Sequence, residues 1–146
     1  MSLLFEEKPP PTPWRTYLVP INILKLHEEI SEEHALRLFE EIVRDGYLKR
    51  PLLVENRYYI ILDGHHRYAV LEKLGAKLTP IFLVDYASSM IEVYSWRSDW
   101  NITKEMVIEA GISGRRLPFK TSRHVLKGVD IPDINISISR LVREHL

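Results

Sequence analysis

The sequence predicts a mixed α+β domain in which a small mixed sheet is flanked by helices. Three observations carry this expectation. Leu36, Phe39, Ile42 and Val43 recur at helical spacing and make one apolar stripe. Two short apolar runs, Pro51 to Val54 and Tyr58 to Leu62, are parted only by Glu55-Asn56-Arg57, the pattern of a β-hairpin. The second run passes through Asp63-Gly64 directly into His66 to Leu74, where Tyr68, Ala69, Leu71 and Leu74 return to helical spacing.

In chain order, residues 6–16 are rich in proline and charge, which disfavours both helix and ladder pairing. They are expected to form an extended arm, so that 1–16 is an N-terminal arm and 17–146 a single domain. A first strand is expected from Tyr17 to Val19, continuing into Ile21 to Leu24. Ser31 is placed to cap a helix from Glu32 to about Asp45, with two acids in its first turn to suit the helix dipole and Gly46 to end it. After the hairpin and the Gly64 corner, Gly75 closes the second helix. Pro80 to Val84 and Ile91 to Trp96 read as strands. Thr103 caps a short helix to about Ala110 that Gly111 is expected to stop. Ile134, Ile136 and Ile138 alternate as in a strand, and an amphipathic segment follows from Ser139. The chain has no internal repeat.

Composition narrows the chemistry. A chain of 146 residues with 45% apolar content fits one core and one site, since a domain of this size buries roughly 68–70% of its unfolded surface. Its 20 basic and 20 acidic side chains cancel, so no global field draws it to nucleic acid or an anionic surface. Locally the balance breaks: Arg115, Arg116, Lys120, Arg123 and Lys127 lie in a stretch without acids between Gly111 and Gly128. With no cysteine, disulfides, thiolate nucleophiles and cysteine-bearing metal sites are excluded. Glu6 and Glu7 stand where a secretory signal needs positive charge, and no apolar run approaches the ~20 residues that span a bilayer, so a cytoplasmic protein is expected. Glutamine is absent, as in proteins selected against thermal deamidation, which points toward a thermophile.

The Asp63-Gly64-His65-His66-Arg67 loop carries the strongest chemical signal. A glycine between strand and helix lets the chain turn tightly and leaves the first helical amides pointing outward, a ready site for a phosphate. The Arg67 guanidinium and the two imidazoles could add charge-assisted bonds of roughly 1.5–3 kcal/mol each. Asp63, at the end of a buried strand, is expected to cap those amides, meet a cation, or do both. Zinc is not expected, because no third ligand stands at a suitable spacing from the two histidines. On local evidence alone the loop could equally be an ordinary capped corner.

The run Ile61-Leu62-Asp63-Gly64-His65-His66-Arg67-Tyr68 followed by Leu71-Glu72-Lys73-Leu74-Gly75 resembles the signature of the ParB/sulfiredoxin superfamily, and in particular of the free serine kinases. Leu26-His27-Glu28, Tyr94-Ser95-Trp96 and Lys120-Thr121-Ser122-Arg123-His124-Val125-Leu126 extend the resemblance from about residue 17 to 140. It implies a compact ParB/sulfiredoxin-like domain that transfers a phosphoryl group from ATP or ADP, with Mg²⁺, to the hydroxyl of L-serine. It also implies Glu28 as general base, with Glu29 as the neighbouring alternative, and Asp63 in catalysis or metal binding shared with the phosphates. Gly64, His65, His66 and Arg67 would bind the nucleotide phosphates, and Trp96, Lys120, Thr121, Ser122, Arg123 and His124 the amino acid. Such a protein would act on small molecules, as a monomer or homodimer.

The chain departs from the pattern it resembles in three ways. The larger serine kinases carry a long insertion between the tryptophan segment and the segment that begins here at Lys120. The glycine-glutamate-arginine-arginine loop of the partition proteins is absent, and His65 stands where sulfiredoxins have their cysteine. A ParB-like DNA-binding or nuclease protein using the basic stretch, and a nucleotide-binding ATPase or regulatory domain, are the competing expectations.

Overall fold

The computed structural model describes residues 11–144. Its elements run β1 (Arg15–Pro20), a 3-10 turn (Ile21–Ile23), α1 (Glu32–Asp45), β2 (Tyr47–Leu48), β3 (Leu52–Glu55), β4 (Ile61–Asp63) and α2 (His65–Lys73). There follow β5 (Leu78–Val84), β6 (Ile91–Ser95), α3 (Lys104–Ser113), β7 (Ser122–Leu126), β8 (Ile136–Ser137) and α4 (Ile138–Arg143). The chain thus has the expected mixed α+β architecture.

A four-stranded sheet ordered β1-β5-β3-β4 forms the centre. β5 pairs antiparallel with β1 and parallel with β3, while β3 and β4 are antiparallel. All seven residues of β5 are buried, because it lies between two strands and is covered on both faces. One apolar cluster joins Leu18 and Leu78 to Ile42 of α1, Leu71 of α2 and Leu141 of α4. On the other side Leu53, Phe82 and Val84 meet Ile91 of β6 and Val107 of α3. Antiparallel ribbons β6/β7 and β2/β8 complete the fold.

The expected caps of α1 are present: the Ser31 hydroxyl accepts from the His34 amide at 3.3 Å, and Gly46 takes φ 80°. Four boundaries differ from expectation. Ladder pairing starts at Arg15, inside the segment read as arm, and residues 1–10 of that arm lie outside the described residues. The first strand stops at Pro20 and turns through a 3-10 helix instead of continuing to Leu24. The hairpin loop extends to Ile60 because the buried Glu55 carboxylate accepts from the amides of Arg57, Tyr58 and Ile60 at 2.8–3.0 Å. In the tail, Ile136 is strand but Ile138 opens α4.

Gly111 does not stop α3; the helix runs to Ser113 and Gly114 forms the left-handed cap at φ 79°. Gly111 is glycine for a different reason. A Cβ there would stand 2.5, 2.6 and 2.9 Å from three atoms of the Ile60 side chain, which is fully buried. Gly111→Ala therefore sets a helix-propensity gain of about 1 kcal/mol against overpacking of about 1–3 kcal/mol. Because Ile60 has nowhere to move, overpacking wins, and thermal melts should show the variant less stable.

Candidate active site

Leu52 and Ile61 are buried in the sheet, and the chain leaves β4 through Asp63-Gly64 into the N-terminus of α2. Gly64 has φ 111°, and a Cβ there would lie 2.7 Å from Leu52 Cδ2 and 3.0 Å from Arg67 Nη2. No side chain caps α2, so its first amides are left to a ligand or to solvent. The expectation that Asp63 caps them is corrected. Ile61 and Leu62 are buried but the Asp63 side chain is 71% exposed, so no desolvation cost forces it to cap, and it stands 3.8 Å from Arg67. Arg67 itself clips the loop to the sheet by donating to the carbonyls of Arg50 and Pro51 at 3.1 and 2.9 Å.

The imidazoles are also committed. His65 Nε2 accepts from the His27 amide at 3.1 Å, and His66 Nε2 accepts from the Ser31 amide at 2.9 Å. Burial is the main cause that lowers both rings below the ordinary histidine range, with like charge from neighbouring histidines adding to it. Each ring accepts at Nε2, so in the neutral form its Nδ1 carries the proton. The loop thus presents backbone amides beside two neutral imidazoles.

Across the cleft, the extended segment around Glu28 is pinned between both halves of the fold. Lys25 pairs with the hairpin loop through Tyr59 and Ile61, and the amides of Leu117 and Glu29 lock His27 and Leu117 together at 2.8 Å. This holds the Glu28 carboxylate under a tight turn. Its Oε1 accepts from the Lys120 amide at 3.1 Å; its Oε2 accepts from the Ser122 amide at 2.8 Å and the Ser122 hydroxyl at 2.6 Å. Lys120 reaches that geometry at φ 59°, a conformation that costs a non-glycine residue about 1–2 kcal/mol. Glu28 is 8% exposed, whereas Glu29 faces solvent.

Glu28, Asp63, Gly64, His65, His66, Arg67, Trp96, Lys120 and Ser122 line one open cleft of about 320 Å³. Nine of the expected site residues therefore meet there, drawn from segments far apart in the chain. Thr121, Arg123 and His124 do not line it. Strand alternation on β7 turns Arg123 to the outer face, while His124 shares the inner face with Ser122 but lies two residues further along the strand. His124 Nε2 stands 2.8 Å from the Tyr86 hydroxyl, and burial holds this ring down to about 3. Arg123 instead stacks over Tyr94 and Trp96, 5.6 and 5.3 Å from their ring centres. Thr121 is buried, its hydroxyl on the Pro118 carbonyl, and shapes the turn.

Four further residues line the cleft, His34, Leu38, Leu62 and Phe119, none of them expected there from sequence. His34 on α1 and Phe119 build a wall with His66, their rings 5.1–5.6 Å apart. His34 at the third position of a capped helix carries no local signal, because its neighbours come from elsewhere in the chain. Of the basic stretch, Arg115 and Lys127 are paired with Glu109 and Glu92, which blunts the local positive field. Among the described residues no helix is long and apolar enough to cross a membrane.

The sheet, the glycine corner and the opposing glutamate turn define a mixed α+β fold with a two-sided cleft. Within it, this chain has the fold of the free serine kinases: one in complex with AMP superposes with a TM-score of 0.79 at 19% identity, over 95% of this chain and 98% of that one. In sequence, an ADP-dependent L-serine kinase of Thermococcus kodakarensis is 31% identical over 102 residues, 64% of this chain and 42% of that protein. An ATP-dependent L-serine kinase of Staphylothermus marinus is 31% identical over 83 residues, 54% of this chain and 33% of that protein. The chain thus matches less than half the length of these curated relatives. No protein-family model matches it.

Proposed function

We propose that this chain is a free serine kinase that moves a phosphoryl group from ATP or ADP to the hydroxyl of L-serine, giving O-phospho-L-serine. The observation that carries the reading is the Glu28 carboxylate, which faces the α2 N-terminus across one cleft. Phosphoryl transfer asks little covalent chemistry of a protein; it asks for alignment, charge neutralisation and a carboxylate beside the attacking oxygen. The amides of Gly64, His65 and His66 supply the cradle for the donor's phosphates. A carboxylate accepts about four hydrogen bonds, and three are filled here, two of them on Oε2. The remaining position on Oε1 suits the incoming serine hydroxyl, whose proton Glu28 takes as the new phosphorus–oxygen bond forms and the donor's terminal anhydride bond breaks, releasing ADP from ATP or AMP from ADP. Trp96 and the Lys120 side chain, 5.6 Å over its ring, frame the acceptor side.

Magnesium supplies charge neutralisation when bound with the nucleotide. Among the described residues no group of three acidic, histidine or cysteine side chains could hold a metal alone. Asp63 fits a shared site instead, since Mg²⁺ takes one or two carboxylates and completes its shell with phosphate and water. A cytoplasmic location accords with these substrates. Purified chain, magnesium, serine and either nucleotide should yield phosphoserine, detected by mass; none with either donor sinks the proposal.

A further inference from the structure

We propose that His27 and Ser122 form a hydroxyl switch that tunes Glu28 as a base, the single Ser122 proton being contested by two acceptors. Three distances define the contest. Ser122 Oγ lies 2.6 Å from Glu28 Oε2 and 2.9 Å from His27 Nε2, and those two acceptors are 3.7 Å apart. His27 Nδ1 stands 2.8 Å from the Ile61 carbonyl, an acceptor only, so Nδ1 carries the imidazole proton. In the neutral ring Nε2 is then a bare lone pair aimed at the Ser122 oxygen. Burial, which outweighs the opposing pull of Glu28, lowers His27 and favours that neutral ring.

One hydroxyl hydrogen cannot satisfy both neighbours. While Glu28 is a carboxylate, Ser122 donates to Oε2 and its own lone pair faces His27 Nε2, an unfavourable contact. When Glu28 takes the serine hydroxyl's proton at Oε1, its demand on Ser122 falls. The Ser122 O–H then rotates about Cβ–Oγ and donates to Nε2. No proton leaves Ser122 or enters His27; a hydrogen bond changes partner, and the substrate proton stays on Glu28. His27 thereby rewards protonation of Glu28 and makes it a stronger base than its three donors alone would allow. His27 is a positioning residue in this scheme, since it is fully buried and acts through Ser122.

The surrounding ionisable groups do not perform this task. His65 on α2 and His124 on β7 lie 4.7 and 6.0 Å from the His27 ring, and burial keeps both neutral. His66 is lowered as well, against the opposing pull of Asp63, while Arg116 helps to lower His65 and Lys104 helps to lower His124. The Lys120 contact with Glu28 is through its amide, which does not titrate.

The switch predicts opposite effects from its two members. This inference rests on the kinase reading, and its readout is the acid limb of kcat/KM for phosphoserine formation. Ser122→Ala removes a donor from the carboxylate and should move the limb up by about one to two pH units, the size of one charge-assisted hydrogen bond. His27→Leu frees Ser122 to serve Glu28 alone and should move it down by about one unit, while Ser122→Thr leaves it in place. Limbs that move in the same direction, or not at all, overturn the switch. Nitrogen-15 spectra of the wild-type side chains test it without turnover or mutation: His27 should show a protonated Nδ1 and a bare Nε2 near neutral pH. A doubly protonated ring there overturns the switch, whereas a wild-type chain that makes no phosphoserine overturns the kinase reading instead.

Discussion

Glu28→Ala is expected to lower kcat for phosphoserine formation by about 10²–10⁴-fold, the usual worth of a positioned general base. Nucleotide binding should change little, because the glycine corner stands on the opposite wall of the cleft. The substitution also strips three donors of their acceptor, the amides of Lys120 and Ser122 and the Ser122 hydroxyl. An unsatisfied buried donor costs about 1–3 kcal/mol, so part of the loss could come from a slackened turn. Glu28→Gln separates the two effects. Its carbonyl oxygen can replace Oε2 and keep both Ser122 contacts, leaving only the Lys120 amide opposed by an NH₂ group. If the carboxylate is the base, Gln restores much of the melting temperature and almost none of the rate. A Gln variant within ten-fold of wild type would mean that Glu28 holds the turn and nothing more.

The parts of this fold that were legible in the sequence are those specified within a few residues. Ser31 and Gly46 bracket α1 through contacts to their own helix, and Gly64 marks a corner because its backbone angle excludes a side chain. The misread parts depend on distant neighbours. Gly111 looks like a helix stop until Ile60 is seen against its α-carbon. Glu55 looks like a turn residue, yet its carboxylate lengthens the hairpin loop by holding three amides.

The site divides in the same way. The Asp63 to Arg67 loop announces itself, but its sequence does not show that one nitrogen of each imidazole and one of the guanidinium hold the loop and the glutamate segment in place. The Lys120 to His124 stretch looks like one oxyanion pocket as a string. As β7 it becomes two faces, of which one carries Ser122 to Glu28 and His27 and the other sends Arg123 onto aromatic rings. Ser122-Arg123-His124-Val125-Leu126 carries no apolar alternation of its own, so its two faces emerge only from the pairing with β6.

Gly64→Ala should produce the second large effect, and on the other half of the reaction. At φ 111° an alanine carries backbone strain of about 1–3 kcal/mol. Its methyl would also meet Leu52 Cδ2 at 2.7 Å, and Leu52 is fully buried between sheet strands, so it has no room to withdraw. Overpacking of that kind adds about 1–3 kcal/mol. A combined loss near 3 kcal/mol corresponds to a fall of about 6–12 °C in Tm for a chain of this size. The chain can relieve the clash only by swinging the α2 N-terminus away from Leu52, which carries the outward amides with it and disturbs Arg67, whose Nη2 lies 3.0 Å from the same point. ATP or ADP, which at one hundred times Kd stabilises a folded protein by about 2.7 kcal/mol, should then fail to raise the melting temperature of the variant. An alanine variant that melts normally and keeps its nucleotide shift would show that the phosphates are held elsewhere than on this corner.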